Sequence, residues 1–189
     1  NFTLYADAEH EGEGFYNEII TSGTNKLFIY PPSSLAEVGD RQRHEGKWNK
    51  NYFTAVMDGN WDYIGVSGYT SIDGLQVTAL PAVTNANAVV VYNGKEVYVT
   101  NNIAQSFQSL TNYGLFTLRS GREDGADIYF INNLAYNVST SSDDACFGFG
   151  SWQASKVTVH FYNNTAINCK NGFRLGSTAG TTSANFRNN

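Results

Sequence analysis

Apolar and polar residues alternate in short runs through much of the chain. The runs at 96–100 (EVYVT), 127–131 (DIYFI) and 156–162 (KVTVHFY) each bring every second residue to one face. A period of two marks a strand with one buried side. Each run leads into a pair of asparagines and then a second short apolar run, at 103–107, 134–138 and 165–169. A third run follows at 113–119, 146–152 and 172–175. No stretch shows the 3.6-residue apolar spacing of an amphipathic helix.

The asparagine pairs are Asn101–Asn102, Asn132–Asn133, Asn163–Asn164 and Asn188–Asn189, spaced by 31, 31 and 25 residues. Registered on them, Val97, Ile128, Val159 and Ala184 form one column, and Val99, Phe130, Phe161 and Phe186 form another. Ala104, Ala135 and Ala166 form a third. A weaker copy, SIDGLQVTAL at 71–80, puts Asp73-Gly74 near the turn position. Three short strands per repeat at a period of about 30 residues predict an all-β chain wound as a right-handed parallel β-helix, one triangular rung per repeat. Rungs pair in parallel at about 4.8 Å. The solenoid is expected over 61–189. Residues 1–60 lack the repeat and are expected as an irregular N-terminal capping or docking segment, with a strand in NKLFIY and a charged loop at 37–52.

The asparagine pair lies between two apolar strands, which places it at a tight corner. Such a corner needs a positive φ, and Asn tolerates that better than most residues other than Gly. Stacked rungs put one asparagine over the next. An amide carries two donors and an acceptor, so the column can bond along the axis as a structural ladder. Polar groups that burial would penalise are thereby satisfied. A cation or sugar site at the pairs is the competing reading.

Composition agrees with a β-rich single core. Charged residues make up only 15% of the 189, beside 18 Gly, 12 Tyr and 12 Phe. The net charge of −5 comes with no basic cluster, which argues against nucleic acid as a partner. The longest apolar run, 88–92, is too short for membrane insertion. The chain opens on Asn1, as expected of a processed secreted protein or a piece of a longer one. Cys146 and Cys169 allow either a disulfide across a rung boundary or two buried thiols. Asn1, Asn137 and Asn163 head Asn-x-Ser/Thr sequons, open to N-glycosylation in an organism that glycosylates secreted proteins.

The order LFIYPPSS, DRQRHEGKW, YIGVSGYTSIDGLQVTA, VYVTNNIA resembles the start of right-handed parallel β-helix repeat proteins of the secreted and phage-related kind. It rests on Asp40, Arg43, His44, Gly46, Lys47 and Trp48, then Ile72, Asp73, Gly74 and Leu75. The resemblance implies the fold and says little about activity. The segment NNTAINCKNGFRLG at 163–176 is similar to rungs of pectate-lyase-like enzymes, and that likeness implies Arg174 as a candidate base.

Elimination on a uronate needs a cation or an Arg/Lys clamp, and a base beside it. Aligned third strands put Val90, Phe116, Gly148 and Arg174 on one outward column, where only Arg174 ionises. No carboxylate stack for calcium appears there. Arg119 and Arg122 are further catalytic candidates; Glu123 and Asp124 in one turn, and Asp143 and Asp144 in another, are metal candidates that read equally as solvated turns. Tyr92, Tyr113, Phe116 and Trp152 offer an aromatic strip for sugar rings, or ordinary edge cover. His10, His44 and His160 lack metal spacing, and His44 with Trp48 is expected to anchor the N-terminal loop on the first rung.

The expectation is an extracellular structural β-solenoid unit of a fibre, filament, appendage or spike, pairing with itself head to tail. The chain stops on an asparagine pair in mid-rung, where a further strand is expected to dock. The alternatives are a polysaccharide lyase and a carbohydrate-binding module. No cofactor is expected, except calcium for a lyase.

Overall fold

The alternating runs form strands, and every strand pairing among the described residues is parallel. The computed structural model describes residues 2–3, 10–12, 15–16, 21–32, 34, 36, 42–58, 63–80, 83, 87–106, 114–119, 125–136, 145–151, 156–177 and 182–189. Helix is almost absent among them. In chain order the strands are β1 (Phe2–Thr3), β2 (His10–Gly12), β3 (Phe15–Tyr16), β4 (Leu27–Tyr30), β5 (Thr54–Met57), β6 (Ile64–Asp73), β7 (Gln76–Ala79), β8 (Val89–Thr100) and β9 (Ile103–Gln105). They continue with β10 (Phe116–Leu118), β11 (Ala126–Ile131), β12 (Leu134–Tyr136), β13 (Ala145–Ser151), β14 (Val157–Tyr162), β15 (Thr165–Ile167), β16 (Asn171–Ser177) and β17 (Thr182–Arg187).

The strands make three stacks, visited in turn, so the chain is a parallel β-solenoid. The first stack holds β3, the first half of β6, the first half of β8, then β10, β13 and β16. The second holds β1, β4, the latter halves of β6 and β8, then β11, β14 and β17. The third holds β2, β5, β7, β9, β12 and β15. The strands β6 and β8 run through the bend between the first two stacks, and their register slips on either side of Gly68. Gly68 has φ 65, and a Cβ there would collide with Thr21 Oγ1, which accepts the Tyr69 N–H at 2.7 Å. Only glycine meets both demands.

The segment 1–60, expected as a cap, also supplies strands to all three stacks through β1 to β5. It lacks the asparagine pair that marks the later rungs, so its strands do not register by sequence.

Parallel stacking in register places like side chains over like. In the second stack Phe130, Phe161 and Phe186 follow one another at ring distances of 5.3 and 5.0 Å, with their planes nearly parallel. In the first, Phe116, Phe147 and Phe173 do the same at 5.2 and 4.9 Å. The two columns meet edge to face, Phe147 against Phe161 at 6.3 Å. Stacked and edge-to-face rings both suit the aromatic quadrupole. The third stack turns Ala55, Val77, Ala104, Ala135 and Ala166 inward, which leaves the interior volume to the phenylalanines. The disulfide Cys146–Cys169, with Cα atoms 5.8 Å apart, ties β13 to the turn before β16.

Phe161 touches four other rings and is fully buried, whereas Phe186 is 45% exposed. Phe161→Ala should cost about 3–5 kcal/mol of unfolding free energy in a denaturant titration, and Phe186→Ala clearly less. Equal losses would show that the phenylalanine columns do not form the core as described.

Candidate functional site

Two places gather side chains that could act on a ligand. The first is the corner between the second and third stacks. Asn101, Asn132, Asn163 and Asn188 open it with φ of 55, 56, 55 and 53, and Gly74 holds the equivalent place with φ 75. The next residues, Asn102, Asn133 and Asn164, are buried. Asn133 Oδ1 accepts from the Asn102 backbone N–H and from Asn102 Nδ2, each at 3.0 Å. Asn133 Nδ2 donates to the Val99 carbonyl at 2.8 Å and to Asn164 Oδ1 at 3.0 Å. Asn164 repeats this with the Phe130 carbonyl and Asn189 Oδ1, at 2.8 and 3.1 Å. At the other end the Leu75 N–H donates to Asn102 Oδ1 at 2.9 Å. Each buried amide uses both of its donors; Asn133 and Asn164 accept twice, and Asn102 accepts once.

The outer asparagines form a shorter chain that ends on a carboxylate. Asn132 Nδ2 donates to Asn101 Oδ1 at 3.3 Å, and Asn101 Nδ2 donates to Asp73 Oδ1 at 2.7 Å. Asp73 also accepts from Thr100 Oγ1 at 2.7 Å and from both Nη atoms of Arg43. A Cβ at Gly74 would strike Arg43 Nε, Cζ and Cδ. The Arg43 side chain therefore lies on the corner where the other rungs carry asparagine. The loop bearing Arg43 is fastened through Gln76, which accepts the Asn49 N–H at 2.7 Å and donates to the Asn49 and Phe53 carbonyls.

Between this loop and the corner is a cleft of about 330 Å³, lined by Arg43, His44 and Gly46 from the loop, Asn101, Asn102 and Asn132 from the corner, and Ile103 and Leu134 from the third stack. His44 is buried; its Nδ1 accepts the Gly46 N–H at 3.0 Å, and its buried Nε2 meets no hydrogen-bond partner among the described residues. Burial pushes the His44 imidazole down, aided by the Arg43 charge, and outweighs the carbonyls of Asn101 and Leu75, which favour its proton. Burial pushes the Asp73 carboxyl up, but the bonds from Asn101, Thr100 and Arg43 prevail and hold it below its ordinary value. A carboxylate that accepts four hydrogen bonds has little capacity left for a substrate proton.

The second place is the outer face of the second stack. Tyr98 and Tyr129 stack at 4.6 Å, and Tyr129 and His160 at 4.3 Å. His160 reaches Asp127 Oδ1 through Nε2 at 3.1 Å and Tyr162 Oη through Nδ1 at 2.8 Å. Lys26 lies over Tyr98 and pairs with Glu96 at 2.7 Å. Rings stacked this closely cover one another's faces and offer only edges, so a sugar ring cannot lie flat between them. The 31-residue register puts these three residues in one column, and their unlike side-chain types hide the stack in the sequence.

The outward column of the first stack is Val90, Thr117, Gly148 and Arg174. Phe116 does not belong to it. It pairs with Val89 and Phe147, is fully buried, and is core rather than a sugar platform. A shift of one residue exchanges the two faces of a strand, and the ring takes the apolar side. Val90, Thr117 and Gly148 are buried as well, and Arg174 is half-buried. Arg119 and Tyr92 are half-buried, with Arg119 Nη1 donating to Tyr92 Oη at 3.4 Å. Asn1, Tyr113, Arg122, Glu123, Asp124, Asn137, Asp143, Asp144 and Trp152 lie outside the described residues. Among the described residues no three His, Cys, Asp or Glu side chains are grouped to hold a metal.

Asn133→Ala removes the acceptor of two Asn102 donors and the side-chain donor to the Val99 carbonyl, and it leaves Asn164 Oδ1 only the backbone N–H of residue 133. It should cost at least about 3 kcal/mol in urea unfolding. Asn132→Ala loses mainly its left-handed preference and should cost about 1–2 kcal/mol; equal effects would remove the inner stack as a determinant of stability. Acid should weaken the fold in two steps. A lowered His44 stabilises fully above its ordinary 6.5 and is lost as pH falls through its folded value. A lowered Asp73 does the same below 3.8. Denaturation midpoints against pH should lose the upper step in His44→Gln and the lower step in Asp73→Asn; unchanged profiles would refute the assignment. No protein-family model matches the chain, and no curated protein or solved structure matches it at significance.

Proposed function

We propose that this chain is an extracellular structural β-solenoid, a unit of a fibre, filament, appendage or spike that extends by stacking copies head to tail. The observation that carries the reading lies at one end of the coil. There β15, β16 and β17 have no further strand beyond them among the described residues, and Ile167, Leu175 and Phe186 are 46, 51 and 45% exposed. A row of unpaired strand edges beside apolar side chains is a template for strand addition. At the other end β1 opens the second stack in the same direction as β17, so a translated copy keeps every pairing parallel. The disulfide supports an oxidising compartment outside the cytosol. The polysaccharide alternative draws little support from the described residues, because Arg174 shares its column with Val90, Thr117 and Gly148 and has no ionisable neighbour in it.

Sedimentation velocity over a wide concentration range, with negative-stain imaging of the same samples, tests this. Rods that lengthen with concentration are expected, and Phe186→Lys with Leu175→Lys should shorten them to single units. Monomers at every concentration would overturn the reading.

A further inference from the structure

We propose that Asn163 is an N-glycosylation site that carries an N-linked oligosaccharide on Nδ2. The inference rests on the extracellular part of the reading above. Asn101 donates to Asp73 and accepts from Asn132, and Asn132 donates to Asn101. The side chain of Asn163 makes no hydrogen bond to another described residue and is exposed; only its backbone N–H is engaged, by the Arg187 carbonyl at 2.9 Å. Its amide nitrogen can be substituted without breaking a contact.

The same rung supplies the remaining requirement. Two residues beyond the corner, the column reads Ile103, Leu134 and Thr165. Ile103 is buried and Leu134 half-buried, while Thr165 is exposed. Of these three corners, that of Asn163 completes Asn-x-Thr, the acceptor for transfer. The middle residue, Asn164, is buried in the inner stack and leaves the outer position to Asn163 alone. The Cys146–Cys169 disulfide forms in the same kind of compartment in which this modification takes place. In the transfer, the bond from sugar C1 to the pyrophosphate of a lipid-linked donor breaks, Nδ2–C1 forms, and Nδ2 gives up a proton. A bulky polar group then stands on the outer corner of the last rungs, clear of the buried amides.

The test is expression of the full chain behind a signal peptide in a eukaryotic secretory host, with occupancy read on all of the protein made. Peptide-N-glycosidase should collapse a slower-migrating form and convert Asn163 to aspartate in peptide mass spectra. Thr165→Val keeps a β-branched strand residue and should abolish occupancy at Asn163; Thr165→Ser should retain it. A disulfide-bonded product with Asn163 unmodified overturns the proposal. Stacking measured on the same material separates the two readings: rods without a glycan defeat only this one, and a glycan on permanent monomers defeats only the structural one.

Discussion

A buried asparagine side chain brings two donors and an acceptor into a place without water, and all three must be met there. In this molecule the groups that meet them are one rung away on either side: a carbonyl from the strand below and an identical amide above. That demand fixes the rise between rungs, because the amides bond at 3.0–3.1 Å only if the strands are one sheet spacing apart. It also fixes the path of the chain. An inward amide needs a left-handed residue just before it, and each corner has one. Register, rise and turn direction thus depend on one small set of hydrogen bonds.

The core follows from that register. With rungs held in line, a phenylalanine meets a phenylalanine, and the alanine column opposite leaves the space for both ring columns. The same alignment explains the outer face, where Tyr98, Tyr129 and His160 stack because their backbones do. A stacked face is well ordered, and for that reason it is a poor platform for a planar ligand. Arg43 shows how the pattern gives way where a loop docks. The corner there is glycine, and the partner of the outer asparagines becomes Asp73 held by a guanidinium.

The second stack could be read almost residue by residue from the asparagine register; Val97, Ile128, Val159 and Ala184 stack as the columns imply. The first stack could not. Its strands follow connections of unequal length, so nothing in the sequence pins their phase, and aligning the apolar runs puts Phe116 one residue away from the column it occupies. Of the strands before residue 60, β4 lies where NKLFIY predicts it; the others escape notice because they pair with the rungs without sharing the corner motif. The Arg43 contact to Asp73 joins a loop outside the repeat to a rung, and no periodicity reports such a pair. The cleft it helps to form was therefore invisible before the coil was assembled.

The unequal repeat lengths carry a consequence for how such a molecule changes over time. The connection between β15 and β16 is shorter than that between β12 and β13, yet the corners on either side are alike. Length is thus free to drift in the returns while each corner stays constant. A duplication or deletion that begins and ends at an asparagine pair would add or remove one whole rung and leave the amide stack and the phenylalanine columns in register. The molecule is in this sense a ruler with interchangeable divisions, and its length can be reset by recombination without redesign of its interior.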